Sequence, residues 1–393
     1  MADVERLQRW FDEGRLEPVR LDVPGTVHLG RAMAQLCGVA SIELDAPARQ
    51  IAETIGGAEH YVFVLVDGLG LNLIETLAAD AFLRSHVVME LRSVHPSGTP
   101  SGLTSLATGL WPGEHGVIGW YEYLAGRDVS VITLPFVERF GKRPLENIGV
   151  SRDTLFPVPT LMARLQRDVA SYVPNEINNT VYSRYFSGDQ PGHGYASLAA
   201  AVTAVVRRIE LARRATYTYV YVPFVDQAEH AHGVFSHEAR KALAGVDAEL
   251  AQLAGRMPAG ARIVVSADHG QIDVSDANTC TLADDDPLLQ LLIAPPSGDP
   301  RVPLFHVRPG RHAEFEAMFR DRFGERFALL TTAELAAMRL LGPALSETAS
   351  ARLGDYAAIP GDASVLRYWP ESPMRGYHGG MTPVECRIPL IVN

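Results

Sequence analysis

The stretch Tyr61-Val62-Phe63-Val64-Leu65-Val66-Asp67-Gly68-Leu69-Gly70 decides the fold. Its six leading apolar residues show no polar alternation, which suits a strand buried on both faces of a parallel sheet. The run ends in an acid, and a helical pattern follows the glycines. In open α/β sheets ligands bind beyond the carboxyl ends of the strands, which is where Asp67 falls. Taken alone, Asp67 could equally be a turn residue. The pattern recurs, however. Residues 219–225 form a second apolar run, leading into Asp226-Gln-Ala-Glu-His230-Ala-His232-Gly233. Residues 262–267 form a third, leading into Asp268-His269-Gly270. Three buried-strand patterns, each delivering an Asp at its carboxyl end, exceed what turn chemistry alone produces. Asp226 and His230 lie four apart and converge on one ion if a turn of helix begins there. His232 then points elsewhere, as an outer or substrate-facing residue.

Between the first and second runs lies His95-Pro-Ser-Gly-Thr99-Pro-Ser-Gly102-Leu-Thr-Ser-Leu-Ala-Thr-Gly109. It reads as a loop entering a short helix, with Thr99 at the N-cap, Pro100 at the first helical position and Gly109 just past the end. A helix start leaves backbone N–H groups unpaired and carries positive dipole charge, so it favours an anion. The N–H groups near Ser101 and Gly102 are candidates to hold a phosphoryl oxygen. The plainer reading of Thr99 is a cap. The acids and histidines elsewhere in the chain favour a hydroxyl nucleophile beside bound metal.

The whole chain of 393 residues is long enough for one large α/β domain with insertions, or for two domains. Hydrophobic residues make up 47% and charged ones 21%, which permits a substantial core. A net charge of −11 argues against non-specific binding to nucleic acid polymers or to an anionic membrane. It leaves room for a small anionic substrate, because bound metal inverts the local field. Cys37, Cys280 and Cys386 are far apart and form no CxxC pattern, so neither a disulfide framework nor a Cys-type zinc site is expected. The charged start and the absence of a membrane-length apolar run give the expectation of a soluble, cytoplasmic protein.

Residues 1–57 read as helical and peripheral. Residues 159–166 read as a helix start, 178–188 as a polar, aromatic loop, and 196–215 as an amphipathic helix with a solvated arginine face. Residues 275–370 read as an inserted region. The chain then returns through Gly376-Tyr-His378-Gly-Gly-Met-Thr-Pro and closes on the apolar run 388–392. Glycines beside His378 let the backbone approach closely.

Together these stretches resemble the alkaline phosphatase superfamily, in its nucleotide pyrophosphatase/phosphodiesterase-like branch. The resemblance lies in Val66-Asp67-Gly68, Thr99 followed by Thr108-Gly109, Glu114-His115-Gly116, Asp226-x-x-x-His230-x-x-Gly233, Asp268-His269-Gly270 and the late His378. It implies an α/β three-layer sandwich: a central, mostly parallel sheet with helices on both faces and an inserted α+β cap. Residues 1–274 and 371–393 would form the catalytic core and 275–370 the cap. It further implies two divalent metal ions. Asp226, His230 and His378 would hold one. Asp67, Asp268 and His269 would hold the other, with the Thr99 oxygen as a further ligand. Mixed His and carboxylate donors suit zinc, and are compatible with manganese or iron. Thr99 would attack phosphorus in line, forming a phospho-threonine that water hydrolyses.

One position departs from the pattern. Better-known diesterases of this branch carry an Asn shortly after the His-Gly turn, where this chain has Trp120. Indole has one donor and no acceptor, so that contact to the phosphoryl group is altered. Gly102, Trp120, Tyr182 and Arg184 are the candidate substrate contacts. The expected activity is hydrolysis of phosphodiester or nucleotide pyrophosphate bonds in a small, nucleotide-like substrate. A phosphomonoesterase or phosphonate hydrolase with the same metal site is the nearest alternative. A non-catalytic metal- and nucleotide-binding descendant is the alternative of a different class.

Overall fold

The computed structural model describes residues 3–368 and 374–393. The expected boundary between residues 370 and 371 lies outside them. Two seven-stranded sheets organise the chain. The first has the spatial order Val87–Arg92, Arg387–Val392, Ala261–Ser266, His60–Val66, Thr216–Val222, Asp168–Pro174, Gly192–Tyr195. Its five strands from Ala261–Ser266 to Gly192–Tyr195 run parallel, and Arg387–Val392 pairs antiparallel with both its neighbours. The continuous apolar run is the central strand, and every residue of His60–Val66 is buried. Helices Thr26–Leu36, Ala46–Ile55 and Thr99–Thr108 pack as one layer, and Leu198–Glu210, Phe224–His232 and His237–Arg256 as another. The result is the expected three-layer α/β architecture.

Several local expectations shift. The second strand is Thr216–Val222, not 219–225, because Pro223 cannot donate to the ladder and the helix Phe224–His232 starts directly after it. Residues 178–188 are not a loop throughout. Thr180 Oγ1 accepts the Ser183 N–H at 3.2 Å, and Tyr182, Tyr185 and Phe186 bury one face of the helix Val181–Phe186. Of 159–166 only the short turn Met162–Arg164 is helical, since Gln166 N–H turns away to Cys37 O at 2.8 Å.

The second sheet has the order Phe327–Thr331, Tyr356–Pro360, Val302–Phe305, Ser297–Asp299, Tyr121–Leu124, Val129–Ile132, Val137–Glu138. Its pairs are all antiparallel. Four strands of segment 275–370 thus share their sheet with Tyr121–Leu124, Val129–Ile132 and Val137–Glu138, while Thr279–Leu282 and Val365–Tyr368 pair in parallel as a separate two-stranded sheet. The N-terminal helix Asp3–Asp12 packs on this sheet through Leu7 and Trp10. Among the described residues, no helix is long and apolar enough to cross a membrane.

Candidate active site

Register brings the acids together. Leu65 pairs with Ser266, and Val66 with Val222. Two residues on from the first pair, Asp67 and Asp268 leave the sheet at one level. Beside them Asp226 N–H donates to Asp67 O at 3.2 Å. Because Asp226 and His230 are one helical turn apart, His230 Nε2 lies 3.3 Å from Asp226 Oδ1. His269 Nε2 sits 3.4 Å from Asp67 Oδ1, 3.5 Å from Asp268 Oδ2 and 3.1 Å from Thr99 Oγ1. His378 stacks on His269 with ring centroids 3.8 Å apart, and its Nε2 is 4.0 Å from Asp226 Oδ1. Donor atoms fall into two groups, Asp67 with Asp268 and His269, and Asp226 with His269 and His378. Two points differ from the expected division: His269 lies within reach of both groups, and His230 stands outside the second, beside it through Asp226.

This cluster is suited to cations. Asp67, Asp226, Asp268 and His269 are all buried. Among the described residues, none of the three carboxylates pairs with a Lys or Arg. Asp67 Oδ1 and Asp268 Oδ2 have no hydrogen-bond partner there. Burial, then the neighbouring Asp268 and Asp226, pushes the Asp67 carboxyl well above its usual range. Burial raises Asp226 and Asp268 as well, partly offset by His230 and His269 respectively. Like charges packed in a low dielectric stay ionised together only if positive charge joins them. The histidines are held as ligands require. His230 Nδ1 meets Gly376 O at 2.8 Å and His269 Nδ1 meets Gly270 O at 3.2 Å, leaving each Nε2 turned to the carboxylates. Burial also pushes the His269 and His378 imidazoles below their usual range.

Thr99 stands at this cluster, but not as a cap. Gly98 is the N-cap, and Thr99 is the first residue of the helix Thr99–Thr108. Its hydroxyl makes no cap bond and faces His269 instead. Gly102 is also placed differently. Its N–H is committed to Gly98 O at 2.9 Å, and a Cβ would lie 2.8 Å from Asp268 Cβ. Gly102 therefore lets the helix close on Asp268, and its N–H is already taken within the helix. Pro100 has no N–H to offer, so the helix start presents fewer free donors than its position suggests.

A cleft of about 1460 Å³ opens over Thr99, Asp67, Asp226, His230 and His378. Trp120 and Tyr182 line it; Tyr182 is buried, with its hydroxyl 3.2 Å from Thr104 Oγ1. Arg184 does not line it, because on the helix Val181–Phe186 it projects to solvent, opposite Tyr182 and Phe186. His232 is likewise exposed. His115 is buried between Ser105 Oγ, 2.9 Å from Nε2, and the Val117 N–H, 3.1 Å from Nδ1. Burial lowers it to about 3.

Residues that sequence reasoning missed support the cluster from behind. Tyr221 donates its hydroxyl to Asp67 Oδ2, and Gln271 Nε2 donates to Asp226 Oδ1 at 2.5 Å. Glu229 is buried with both carboxyl oxygens unpartnered among the described residues. Arg301 and Glu385, both wholly buried, form a two-pronged ion pair at 2.9 and 2.7 Å. Glu385 also accepts the Gly380 N–H at 2.8 Å. Ser97 ties the nucleophile turn to the same loop through its hydroxyl on Gly380 O at 2.7 Å. A side chain at Gly380 would collide with this pair, because its Cβ would lie 2.7 Å from Arg301 Nη2. Only the position of Tyr221 at the strand end and of Gln271 three residues after Asp268 signals their roles in sequence. The Arg301 and Glu385 pair spans 84 residues and gives no such signal.

Residues 61–379 match the family described as type I phosphodiesterase / nucleotide pyrophosphatase. No match to a curated protein was found. Among solved structures, an inactive murine ectonucleotide pyrophosphatase / phosphodiesterase 5 in complex with AMP aligns at TM-score 0.64 and 14% identity, over 84% of this chain and 87% of that one. The human counterpart aligns at TM-score 0.64 and 13% identity, over 85% and 87%. Phosphonoacetate hydrolase from Sinorhizobium meliloti 1021, in complex with phosphonoformate, aligns at TM-score 0.61 and 18% identity, over 84% and 89%. At these identities the structural likeness establishes a shared fold.

Proposed function

The chain belongs to the type I phosphodiesterase / nucleotide pyrophosphatase family, and on that premise we propose that it hydrolyses phosphodiester or nucleotide pyrophosphate bonds through a covalent intermediate on Thr99. The observation that carries this reading is the Thr99 hydroxyl, 3.1 Å from His269 Nε2, at the meeting point of the carboxylate cluster and the cleft. Asp67, Asp226, His230, Asp268, His269 and His378 would hold two divalent cations, zinc by donor type. Bound there, the cations would supply Lewis acidity that lowers the pKa of the Thr99 hydroxyl and neutralises phosphoryl charge.

The chain's own residues do the rest. The helix Thr99–Thr108 presents the hydroxyl from its positive end, which favours an anionic phosphoryl group beside it. Thr99 Oγ1 bonds to phosphorus as the bond to the leaving oxygen breaks, and the leaving group takes up a proton. Water then attacks the phospho-threonine from the opposite side and Thr99 Oγ1 leaves, regaining its proton. Tyr221 and Gln271 hold Asp67 and Asp226 in place while charge moves. Trp120 and Tyr182 line the walls over the reacting group, so a diester's second organic substituent has apolar surface to occupy.

The test is kcat/KM for bis-p-nitrophenyl phosphate and p-nitrophenyl phosphate, in parallel, on zinc-loaded wild type and on Thr99→Ala. A strong preference for the diester, lost in Thr99→Ala, upholds the reading. Preference for the monoester replaces it with a phosphomonoesterase on the same cluster. Turnover of neither, with metal bound, replaces it with a metal- and nucleotide-binding module.

A further inference from the structure

Two stretches of chain that carry different parts of the candidate site are laced side by side. Residues 95–99 lead to the Thr99 hydroxyl, and residues 376–380 carry His378. Ser97 and Gly379 form an isolated antiparallel bridge. Its backbone bond, from Ser97 N–H to Gly379 O, is long at 3.3 Å. The side chain makes the shorter tie. Ser97 is fully buried, and its hydroxyl donates to Gly380 O at 2.7 Å.

That tie ends on a fixed post. The Gly380 N–H donates to Glu385 Oε1 at 2.8 Å, and the Thr382 N–H and hydroxyl donate to Glu385 Oε2 at 3.2 and 2.6 Å. Arg301 grips the same carboxylate from the turn between the second-sheet strands Ser297–Asp299 and Val302–Phe305. Its remaining arm, Nη1, donates to Asp362 O and Ser364 O, both at 2.6 Å. The Gly380 peptide is thus anchored to the second sheet through charge-assisted bonds. Between Ser97 and the nucleophile there is no other side-chain bond. Gly98 has no side chain and gives the helix Thr99–Thr108 no side-chain cap. It also has little room for one, since a Cβ there would lie 3.3 Å from Asp299 Oδ2 and 3.5 Å from His378 Nδ1. Thr99 Oγ1 itself bonds only His269 Nε2 among the described residues. A reacting atom misplaced by about 1 Å can cost on the order of 10²-fold in rate.

We propose that Ser97 is a positioning residue for the nucleophile: its hydroxyl bond to Gly380 O sets where the Thr99 oxygen stands relative to His378, with the Arg301 and Glu385 pair as its anchor. This rests on the reading of Thr99 as the nucleophile, but not on which phosphate ester is the substrate. Removing the hydroxyl leaves Thr99, every metal-type donor and the cleft lining in the chain, so its loss falls on placement and not on composition of the site.

The experiment has a binding arm and a turnover arm. Zinc-loaded wild type, Ser97→Ala and Ser97→Cys are titrated calorimetrically with orthovanadate and with inorganic phosphate. Vanadate takes the nucleophile oxygen as a fifth ligand, whereas phosphate binds without that bond, so the ratio of the two affinities reads where Thr99 Oγ1 stands. Wild type is expected to bind vanadate about tenfold more tightly than phosphate. Ser97→Ala should bring the two within about threefold, with phosphate affinity and zinc content unchanged. Ser97→Cys, a weaker donor of similar shape, should fall between, and it carries the test alone if the alanine variant does not fold. With bis-p-nitrophenyl phosphate, kcat should fall about 10- to 100-fold in Ser97→Ala while KM stays within about threefold. A vanadate preference undiminished in both variants, a preference absent from wild type, or equal weakening of vanadate and phosphate overturns the proposal. If the preference falls in Ser97→Ala while wild type turns over no ester, the diesterase reading falls and the positioning role remains. If Thr99→Ala abolishes diester turnover but Ser97→Ala keeps both kcat and the preference, the positioning role falls and the diesterase reading remains.

Discussion

The two sheets place their chemistry by opposite means. In the first, strands His60–Val66, Thr216–Val222 and Ala261–Ser266 run parallel and in register, so their carboxyl ends deliver Asp67, Asp226 and Asp268 to one point. Those side chains are buried, and Tyr221, Gln271 and the His269 N–H donate to Asp67, Asp226 and Asp268 respectively. In the second sheet, antiparallel hairpins bring Trp120, Arg139 and Lys142 to the cleft wall, with Arg139 buried against the Tyr121 ring and Lys142 exposed. A parallel ladder repeats the same end at each crossover, which gives precision at one spot. A meander of hairpins spreads its side chains along an edge, which gives breadth. We expect the reaction to be sensitive to the first region and the choice of substrate to the second.

That contrast can be broken at its strongest point first. Thr99→Ala should lower kcat/KM for a diester by about 10⁴-fold or more, with bound metal and melting temperature near wild type; retained turnover would remove the nucleophile from the first region. Next in size is Arg301→Ala, which leaves Glu385 as an unpaired buried charge beneath the His378 loop. A loss of about 3–5 kcal/mol in denaturant unfolding is expected, together with a fall in kcat. If stability drops while kcat holds, the pair supports the fold without positioning His378.

Chelation probes the cluster as a whole. Removing divalent ions should lower the melting temperature at neutral pH, and returning zinc should restore it. A ligand present at a thousand times its Kd contributes about 4 kcal/mol to the native state. A melting temperature indifferent to chelator would show that the acids do not need cations.

A smaller effect is read in acid. His115 is buried and its folded pKa is lowered to about 3 from an ordinary 6.5, mainly by burial and then by Arg352. The folded state therefore binds this proton less readily than the unfolded one. Its contribution is complete above about pH 6.5 and is lost as pH falls toward 3. His95, lowered to about 4 by burial, acts in the same direction. In His115→Gln, unfolding free energy should fall less steeply between pH 6.5 and 4 than in wild type, even if the variant is weaker at pH 7. An unchanged slope would mean that His115 is accessible to protons in the fold.

The smallest effect belongs to Arg184→Ala, on the solvent side of its helix and off the cleft. Its kcat/KM should stay within about twofold of wild type, and its stability within about 0.5 kcal/mol. A tenfold loss would place Arg184 over the cleft after all.

What the amino-acid order determined by itself is the first sheet and the donors at its edge. An unbroken apolar run such as 61–66 can be satisfied only by burial on both faces, and the residue that ends it must then emerge at the sheet's carboxyl edge. Asp67, Asp226, Asp268 and His269 were legible for that reason, and Thr99 because a Gly-Thr-Pro-Ser turn leading to Gly109 marks a helix start. Even so, sequence alone set Thr99 one position too early, as a cap. Cap and first turn differ by a single residue's φ and ψ, which packing decides. Gly102 looked like an anion donor until Asp268 was found against it. Arg184 and Tyr182 are two residues apart on a short helix, so one faces the cleft and the other faces water. Only the tertiary structure decided the sharing of His269, the union of 121–138 with 297–360 in one sheet, and the Arg301 and Glu385 pair. Each depends on contacts between residues far apart in the chain, and no local periodicity encodes which distant surfaces meet.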